Sequence, residues 1–435
     1  MKIHFIGVGG IGLSALARFL NFSGHSISGS DMYSTDLTKK LQDEGIEVNT
    51  PHSKEAIKKQ DIVICSAAIK PTNPEVLEAM KQELKIIPRK DALPLVLSKS
   101  KNYCVAGAHG KSTTTAILTA ILQSTALIGA ESKEFDSNFR FVDEKLISFE
   151  ADESDGSFLN SNPYCAIVTN AEPEHMEYYK YDLDKFYSAY TNFLKLSTIR
   201  VINAEDEFLA TLELDSIRLY PSKDIKNLSF MLKDDEPYTR FELKDLGEFE
   251  VYGFGFHIAL DASLAILAAL NEISLPQIKQ NLKNYKGIKK RFDILQKCDH
   301  FILIDDYAHH PTEIRATIKS INLYKELSNI KQNIAIWQPH KYSRTISNLE
   351  EYKRCFNGID ELVILPIYGA GEEYQEIDFE KEFAFYNPIL ATHIKTNECK
   401  IEIYKDDKII KTYLDGVICG FGAGDITYQL RGKVV

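Results

Sequence analysis

Short apolar runs alternate with helical patterns along most of the chain, and this alternation constrains the fold more than any other feature. The runs "KIHFIGV", "SISGSD", "DIVICSA" and "LKIIP" read as strands. Between them, "IGLSALARFLNFSG" and "NPEVLEAMKQE" carry apolar residues at three- and four-residue spacing, as amphipathic helices do. Strands that alternate with helices predict parallel sheets covered by helices. The pattern pauses near "ALPLVLSKSKN" and resumes at "YCVAG", with strands at "KLISFEAD", "CAIVTN" and "IRVINAED" and a buried helix at "HIALDASLAILAALNEI". A third series starts at "GIKKRFDIL", with strands "HFILIDDYA", "NIAIWQP", "ELVILPIY" and "GVICGFG". The polar stretch Ser222 to Glu250 reads as a β-rich insertion. A length of 435 residues suits about three domains of ~150 residues each.

Two glycine-bearing turns follow strands in this pattern. "YCVAGAHGKSTTTAILTAIL" ends a strand, passes Gly107, Ala108, His109, Gly110 and Lys111, and opens a helix at Ser112 and Thr113. It approximates the phosphate-binding loop G-x-x-x-x-G-K-[ST], except that Val105 stands where the first glycine belongs. Backbone N–H groups at a helix start attract anions. Lys111 can reach β- and γ-phosphates, and the Ser112 hydroxyl can bind a divalent cation. A helix start capped by serine and threonine is the alternative. The second turn, "GVGGIG", carries Gly7, Gly9, Gly10, Ile11 and Gly12, with Ser30 and Asp31 further on. That is a dinucleotide fingerprint, and it serves any pyrophosphate-linked nucleotide. Glycines that merely permit a tight turn are the structural alternative.

Acidic clusters follow two further strands. "FEADESDGSF" holds Glu150, Asp152, Glu153 and Asp155, and "TNAEPEHMEYY" holds Asn170, Glu172, Glu174 and His175. Such ligands at strand ends beside a phosphate loop suit Mg²⁺ bound with substrate phosphates. Each could equally be a solvated acidic loop. In "DDYAHHPTEI", His309 and His310 point apart if extended, which makes them poor joint ligands for one metal.

Composition excludes several classes. No apolar run reaches the ~18 residues of a membrane span, and the N-terminus lacks a signal-peptide segment. Net charge is −11 with no basic run, which argues against nucleic acid as a partner. The seven cysteines are scattered and never in C-x-x-C spacing, so reduced thiols in a cytoplasmic protein are expected.

Order and identity of the motifs together resemble the Mur ligases of bacterial peptidoglycan synthesis, over essentially the whole chain. "GVGGIGLSALA" with "GSD" is similar to that family's sugar-nucleotide domain, and "GAHGKSTTT" to its ATP loop, which lacks the first glycine throughout the family. "EADESDGSF" and "TNAEPEHM" resemble its magnesium segments, and "DDYAHHPTE", "WQPHKYSRT" and "YGAGE" its third-domain signatures. The resemblance implies an α/β fold of three domains: a Rossmann-like UDP-sugar domain over 1–97, a P-loop-type ATPase domain over 98–286 and a Rossmann-like amino-acid domain over 287–435. It also implies ATP and Mg²⁺ as cofactors, and a ligase of the alanine-adding branch acting on UDP-N-acetylmuramate and L-alanine, as a monomer or weak homodimer. Lys111, Glu150, His175, His309 and Arg344 would be catalytic, and Ser112, Glu150 and His175 metal ligands. Residues 107–113 with His257 would bind ATP. Gly7, Gly9, Gly10, Ile11, Gly12, Ser30, Asp31, Tyr307, His309, His340, Lys341 and Arg344 would bind substrates. The sister ligases carry a lysine about fifteen residues after the magnesium histidine, where "SAYTNFL" has none. Ile258 and Asp261 replace the usual asparagines, and Lys341 replaces an arginine whose bidentate fork it cannot reproduce. A peptide-recycling relative is the alternative within the family. A nicotinamide-dependent oxidoreductase is the alternative outside it, and leaves Lys111 without a use.

Overall fold

The computed structural model describes residues 1–174 and 176–433. These described residues form two compact units, one within 1–228, 241–251 and 257–286, the other within 229–240, 252–256 and 287–433.

The first unit contains two sheets. Strands β1 (Lys2–Ile6), β2 (Ser26–Ser30), β3 (Glu47–Asn49), β4 (Ile62–Cys65) and β5 (Lys85–Pro88) pair in the order β3-β2-β1-β4-β5, all parallel. Chain order reverses beside β1, so the Gly7–Gly12 turn opens at the switch point where such sheets bind ligands. The second sheet takes β6 (Lys101–Ala106), β7 (Thr125–Ser132), β8 (Ser137–Arg140), β9 (Leu146–Glu150), β10 (Cys165–Val168), β11 (Ile199–Asn203) and β12 (Ile217–Leu219). Its order is β12-β11-β10-β6-β9-β7-β8, with only β8 antiparallel. Both sheets share one core, from Phe5 and Leu16 to Phe149, Phe158 and Phe193. Contacts tie them at the helix Ile11–Phe22, where Arg18 donates to Ser137 at 2.5 Å and Phe22 stacks on Phe141 at 5.3 Å. That shared core holds the stretches 1–97 and 98–286 together within one compact unit.

The stretch expected to be β-rich forms β13 (Ile225–Lys233), β14 (Glu236–Leu243) and β15 (Glu248–Tyr252). In the second unit, β16 (Asp293–Cys298), β17 (Phe301–Asp306), β18 (Asn333–Trp337), β19 (Glu361–Ile364) and β20 (Ile389–Leu390) precede a small antiparallel sheet of β21 (His393–Asn397), β22 (Lys400–Lys405) and β23 (Lys408–Tyr413). The last strand, β24 (Gly416–Phe421), inserts centrally, giving β16-β17-β24-β18-β19-β20 with only β16 antiparallel. Trp337 is fully buried among Tyr352, Phe356 and Phe383. The expectation that all cysteines stay reduced is corrected here: Cys298 and Cys399 form a disulfide with Cα atoms 6.2 Å apart. The β21–β22 turn lies against β16, where the Cys399 amide donates to Gln296 at 3.0 Å. A sequence separation of 101 residues hides that proximity. Among the described residues no helix is long and apolar enough to cross a membrane.

Candidate active site

Three neighbouring strand ends build the central site. Register pairs Val105 with Glu150 on one side of β6 and Ala106 with Val168 on the other. The loop from Gly107 to Gly110 therefore emerges between Glu150 and the segment Thr169–Asn170. Thr169 Oγ1 donates to the His109 carbonyl at 2.6 Å, Asn170 Nδ2 donates to the same oxygen at 2.9 Å, and the His109 amide returns to Asn170 at 3.2 Å. Gly110, in left-handed conformation at φ +82°, caps the helix Lys111–Leu122 without a side-chain hydrogen bond. The serine–threonine cap raised as an alternative is thus not formed at the N-cap. Asp261, in the helix Phe256–Ala269, packs on this glycine: a Cβ on Gly110 would stand 2.5 Å from its Oδ1. His257, exposed, lies one turn earlier on that helix.

Gly107 has φ +140°, and a Cβ there would lie 2.1 Å from Thr169 Oγ1. Gly107→Ala is expected to destabilise the fold by about 2 kcal/mol or more, because strain and overlap with fixed neighbours add. A melt within a degree of the unaltered chain would contradict this reading of the loop.

The acidic residues divide their work. Glu150, half-buried, accepts from the Gly129 amide at 2.7 Å. Burial pushes its carboxyl up, against Lys111, the Gly129 amide and the Ser112 hydroxyl. Asp152 instead accepts from the Ser154 amide at 2.9 Å. Glu153 forms an ion pair with Lys111 at 2.9 Å. His109 faces Glu172 and Glu174 at 3.3 and 3.5 Å. His175 lies outside the described residues. Among those described, no three His, Cys, Asp or Glu side chains gather as a metal cage. Mg²⁺ bound with phosphates needs only one or two protein oxygens, and the Ser112 hydroxyl beside the desolvated Glu150 carboxylate suits it.

At the first sheet, Gly7 has φ +84° and the Gly9 amide donates to Asp31 Oδ2 at 2.8 Å. Gly10 is the N-cap of the helix Ile11–Phe22, and Gly12 lies against Arg89, where a Cβ would meet Nε at 3.0 Å. Ser30 is fully buried, and its hydroxyl donates to Glu75, which also pairs with His4 at 3.1 Å. Its placement is therefore that of a network member beneath the turn. Sequence reading missed Arg89, although it directly follows β5, where ligand-facing residues cluster.

The second unit gathers another set at the ends of β17 and β18. His309 Nδ1 lies 3.1 Å from the Tyr307 carbonyl, and its ring meets Tyr307 and His340 edge-on. His340 stacks on Tyr368 and lies 3.3 Å from Arg344 Nη1. Lys341 takes φ +67° as N-cap of the helix Tyr342–Ser347, with its amide donating to the Tyr368 carbonyl at 2.9 Å. Arg291, Asp306 and Tyr368 join this cluster without having been expected. Arg291 pairs with Glu313 at 3.2 Å, and Asp306 accepts from the Phe292 and Ala308 amides.

Burial pushes His309 down to about 4, with Arg344 reinforcing and Glu313 opposing. Burial, Arg344 and Lys341 also lower His340. Between 6.5 and about 4 the unfolded chain takes up a proton that folded His309 refuses, so acidification through that window withdraws stability at this residue. Histidine nitrogen NMR is expected to show His309 neutral down to about pH 5; an imidazolium spectrum at pH 6 would contradict the burial argument.

Comparison with known proteins agrees with this architecture. The family pattern described as Mur ligase family, catalytic domain, matches residues 2–101, and that of the Mur ligase glutamate ligase domain matches residues 290–397. The chain is 56% identical, over 99% of both sequences, to UDP-N-acetylmuramate–L-alanine ligase of Campylobacter curvus (strain 525.92). It is 52% identical to the ligase of the same description from Helicobacter pylori (strain P12), over 100% of this chain and 97% of that one. The crystal structure of UDP-N-acetylmuramate–alanine ligase from Thermotoga maritima superposes with a TM-score of 0.81 at 26% identity, covering 99% of this chain and 97% of the other.

Proposed function

The chain belongs to the Mur ligase family, and from that premise we propose that it joins L-alanine to the lactyl carboxylate of UDP-N-acetylmuramate at the expense of ATP, in the cytoplasm. The observation that carries this reading is the convergence of the 107–110 loop, Glu150 and Thr169–Asn170 at adjacent strand ends. A carboxylate oxygen of the sugar attacks the γ-phosphorus, ADP leaves, and an acyl phosphate forms. The alanine amine then attacks the acyl carbon, phosphate departs with one former carboxylate oxygen, and the amide loses its extra proton.

Phosphoryl transfer asks for positioning and charge neutralisation rather than a protein nucleophile. Lys111 and the N–H groups of residues 107–113 hold the phosphates, and His257 would contact the base. Ser112 and Glu150, with His175, would hold Mg²⁺, which neutralises charge on the transferring phosphoryl group. Gly7, Gly9, Gly10, Ile11, Gly12 and Asp31 cradle the sugar diphosphate. Arg344 holds the alanine carboxylate with His340, Lys341 and Tyr307, since arginine grips a carboxylate in two parallel hydrogen bonds. Neutral His309, with Nδ1 hydrogen-bonded to the Tyr307 carbonyl, leaves Nε2 to accept a hydrogen bond from the alanine amine and so helps to hold the amino acid. We assign these three tasks to residues 1–97, 98–286 and 287–435.

The test is isotopic. UDP-N-acetylmuramate labelled with ¹⁸O in its lactyl carboxylate is incubated with ATP and L-alanine. Label in the released phosphate supports the acyl phosphate; phosphate free of label while amide accumulates refutes it.

A further inference from the structure

Glu153 is an acidic residue that the reaction above does not use. Its side chain is 1% exposed, and Oε1 stands 2.9 Å from Lys111 Nζ, itself 16% exposed. The same ammonium reaches the carbonyls of Gly107 and, at 3.3 Å, Ala108. An ammonium has three N–H donors, and these three acceptors can take them all. Only one of the three is charged. The backbone beneath Glu153 is fixed: Tyr179 donates its hydroxyl proton to the Glu153 carbonyl at 2.6 Å, and the Gly156 amide donates to it at 3.1 Å. The second carboxylate oxygen, Oε2, is buried and has no hydrogen-bond partner. Burying a carboxylate with one oxygen unsatisfied costs free energy. A purely structural anchor for a lysine would be built with both oxygens satisfied, or with a neutral acceptor.

We propose that Glu153 is a positioning residue for Lys111, aiming its ammonium along the phosphate loop and tempering its attraction for nucleotide. This rests on the reading that the loop binds ATP. A carboxylate 2.9 Å from the lysine competes with phosphate oxygens for the same N–H donors and adds a like charge beside them. Neutralising it at constant shape therefore releases the lysine toward the nucleotide and loosens its aim. The two consequences have opposite signs, one on affinity and one on rate, and a stabilising role alone produces neither combination.

The experiment uses the full chain and compares ADP binding by calorimetry, kcat with all substrates, and thermal melting for Glu153→Gln, Glu153→Asp and Lys111→Ala. Glu153→Gln is expected to bind ADP about tenfold more tightly while kcat drops about tenfold, the scale of one charge-assisted hydrogen bond. Glu153→Asp keeps the charge but is one methylene short of the lysine, so kcat drops while ADP affinity stays near that of the unaltered chain. If Glu153→Gln binds ADP equally or less tightly while Lys111→Ala loses affinity, the positioning role is overturned and the loop assignment stands. If Lys111→Ala keeps full ADP affinity, the loop assignment fails and this inference with it.

Discussion

Lys111→Ala is expected to reduce ADP formation by about 10³-fold, the upper range for removing one preorganised donor to a transferring group. Both glycines of the loop and the pinning of His109 by Thr169 and Asn170 exist to fix the strand-to-helix turn that carries this lysine. The variant will also melt earlier. Sequence alone suggests a solvent-facing lysine, but Lys111 is mostly buried and neutralises Glu153. Its removal leaves a carboxylate alone in a dry site, a change worth about 3–5 kcal/mol when one partner of a buried pair is lost. The double variant Lys111→Ala, Glu153→Gln separates the effects: melting should recover and turnover should not. Recovery of turnover in the double variant would show that Lys111 serves only to neutralise Glu153.

Glu150→Gln is expected to lower kcat by about 10²-fold and to raise the Mg²⁺ concentration needed for half-maximal rate, because a neutral amide is a weaker ligand for a hard cation. Gln still accepts the Gly129 amide, so the fold should persist. The contrast is Asp152→Asn, whose target carboxylate is engaged with the Ser154 amide and should leave turnover within a few-fold. If Asp152→Asn abolishes turnover and Glu150→Gln does not, the metal carboxylate has been assigned wrongly.

Much of this arrangement is legible in the chain because it rests on local rules. Hydrophobic period and glycine position locate β6, its loop and the helix Lys111–Leu122. Polar residues at or just past a strand's last position lie at its end, which is how Glu150 and Asn170 reach the loop. What stayed hidden depends on distance along the chain. Arg89 reaches Gly12 and Ser157, and Arg291 reaches Glu313, through folding rather than spacing. Ser30 lies at its strand's end as read, but its hydroxyl donates to Glu75, 45 residues away, a partner that no local spacing announces. Lys111 reads as exposed because nothing local announces the buried Glu153, 42 residues later. Cys298 and Cys399 have no local signature at all. Asp261, a departure from the family's usual residue, proves to pack on Gly110, so that departure bears directly on the loop.

Under the proposed function, ATP cleavage is coupled to amide formation between two specific substrates. ADP release with each substrate omitted in turn tests it most directly. Stoichiometric ADP, phosphate and alanylated UDP-N-acetylmuramate are expected when ATP, Mg²⁺, UDP-N-acetylmuramate and L-alanine are all present, with no sustained ADP release when either the sugar nucleotide or the alanine is withheld. Steady ADP release that is indifferent to both, or amide formation without ATP, would contradict it.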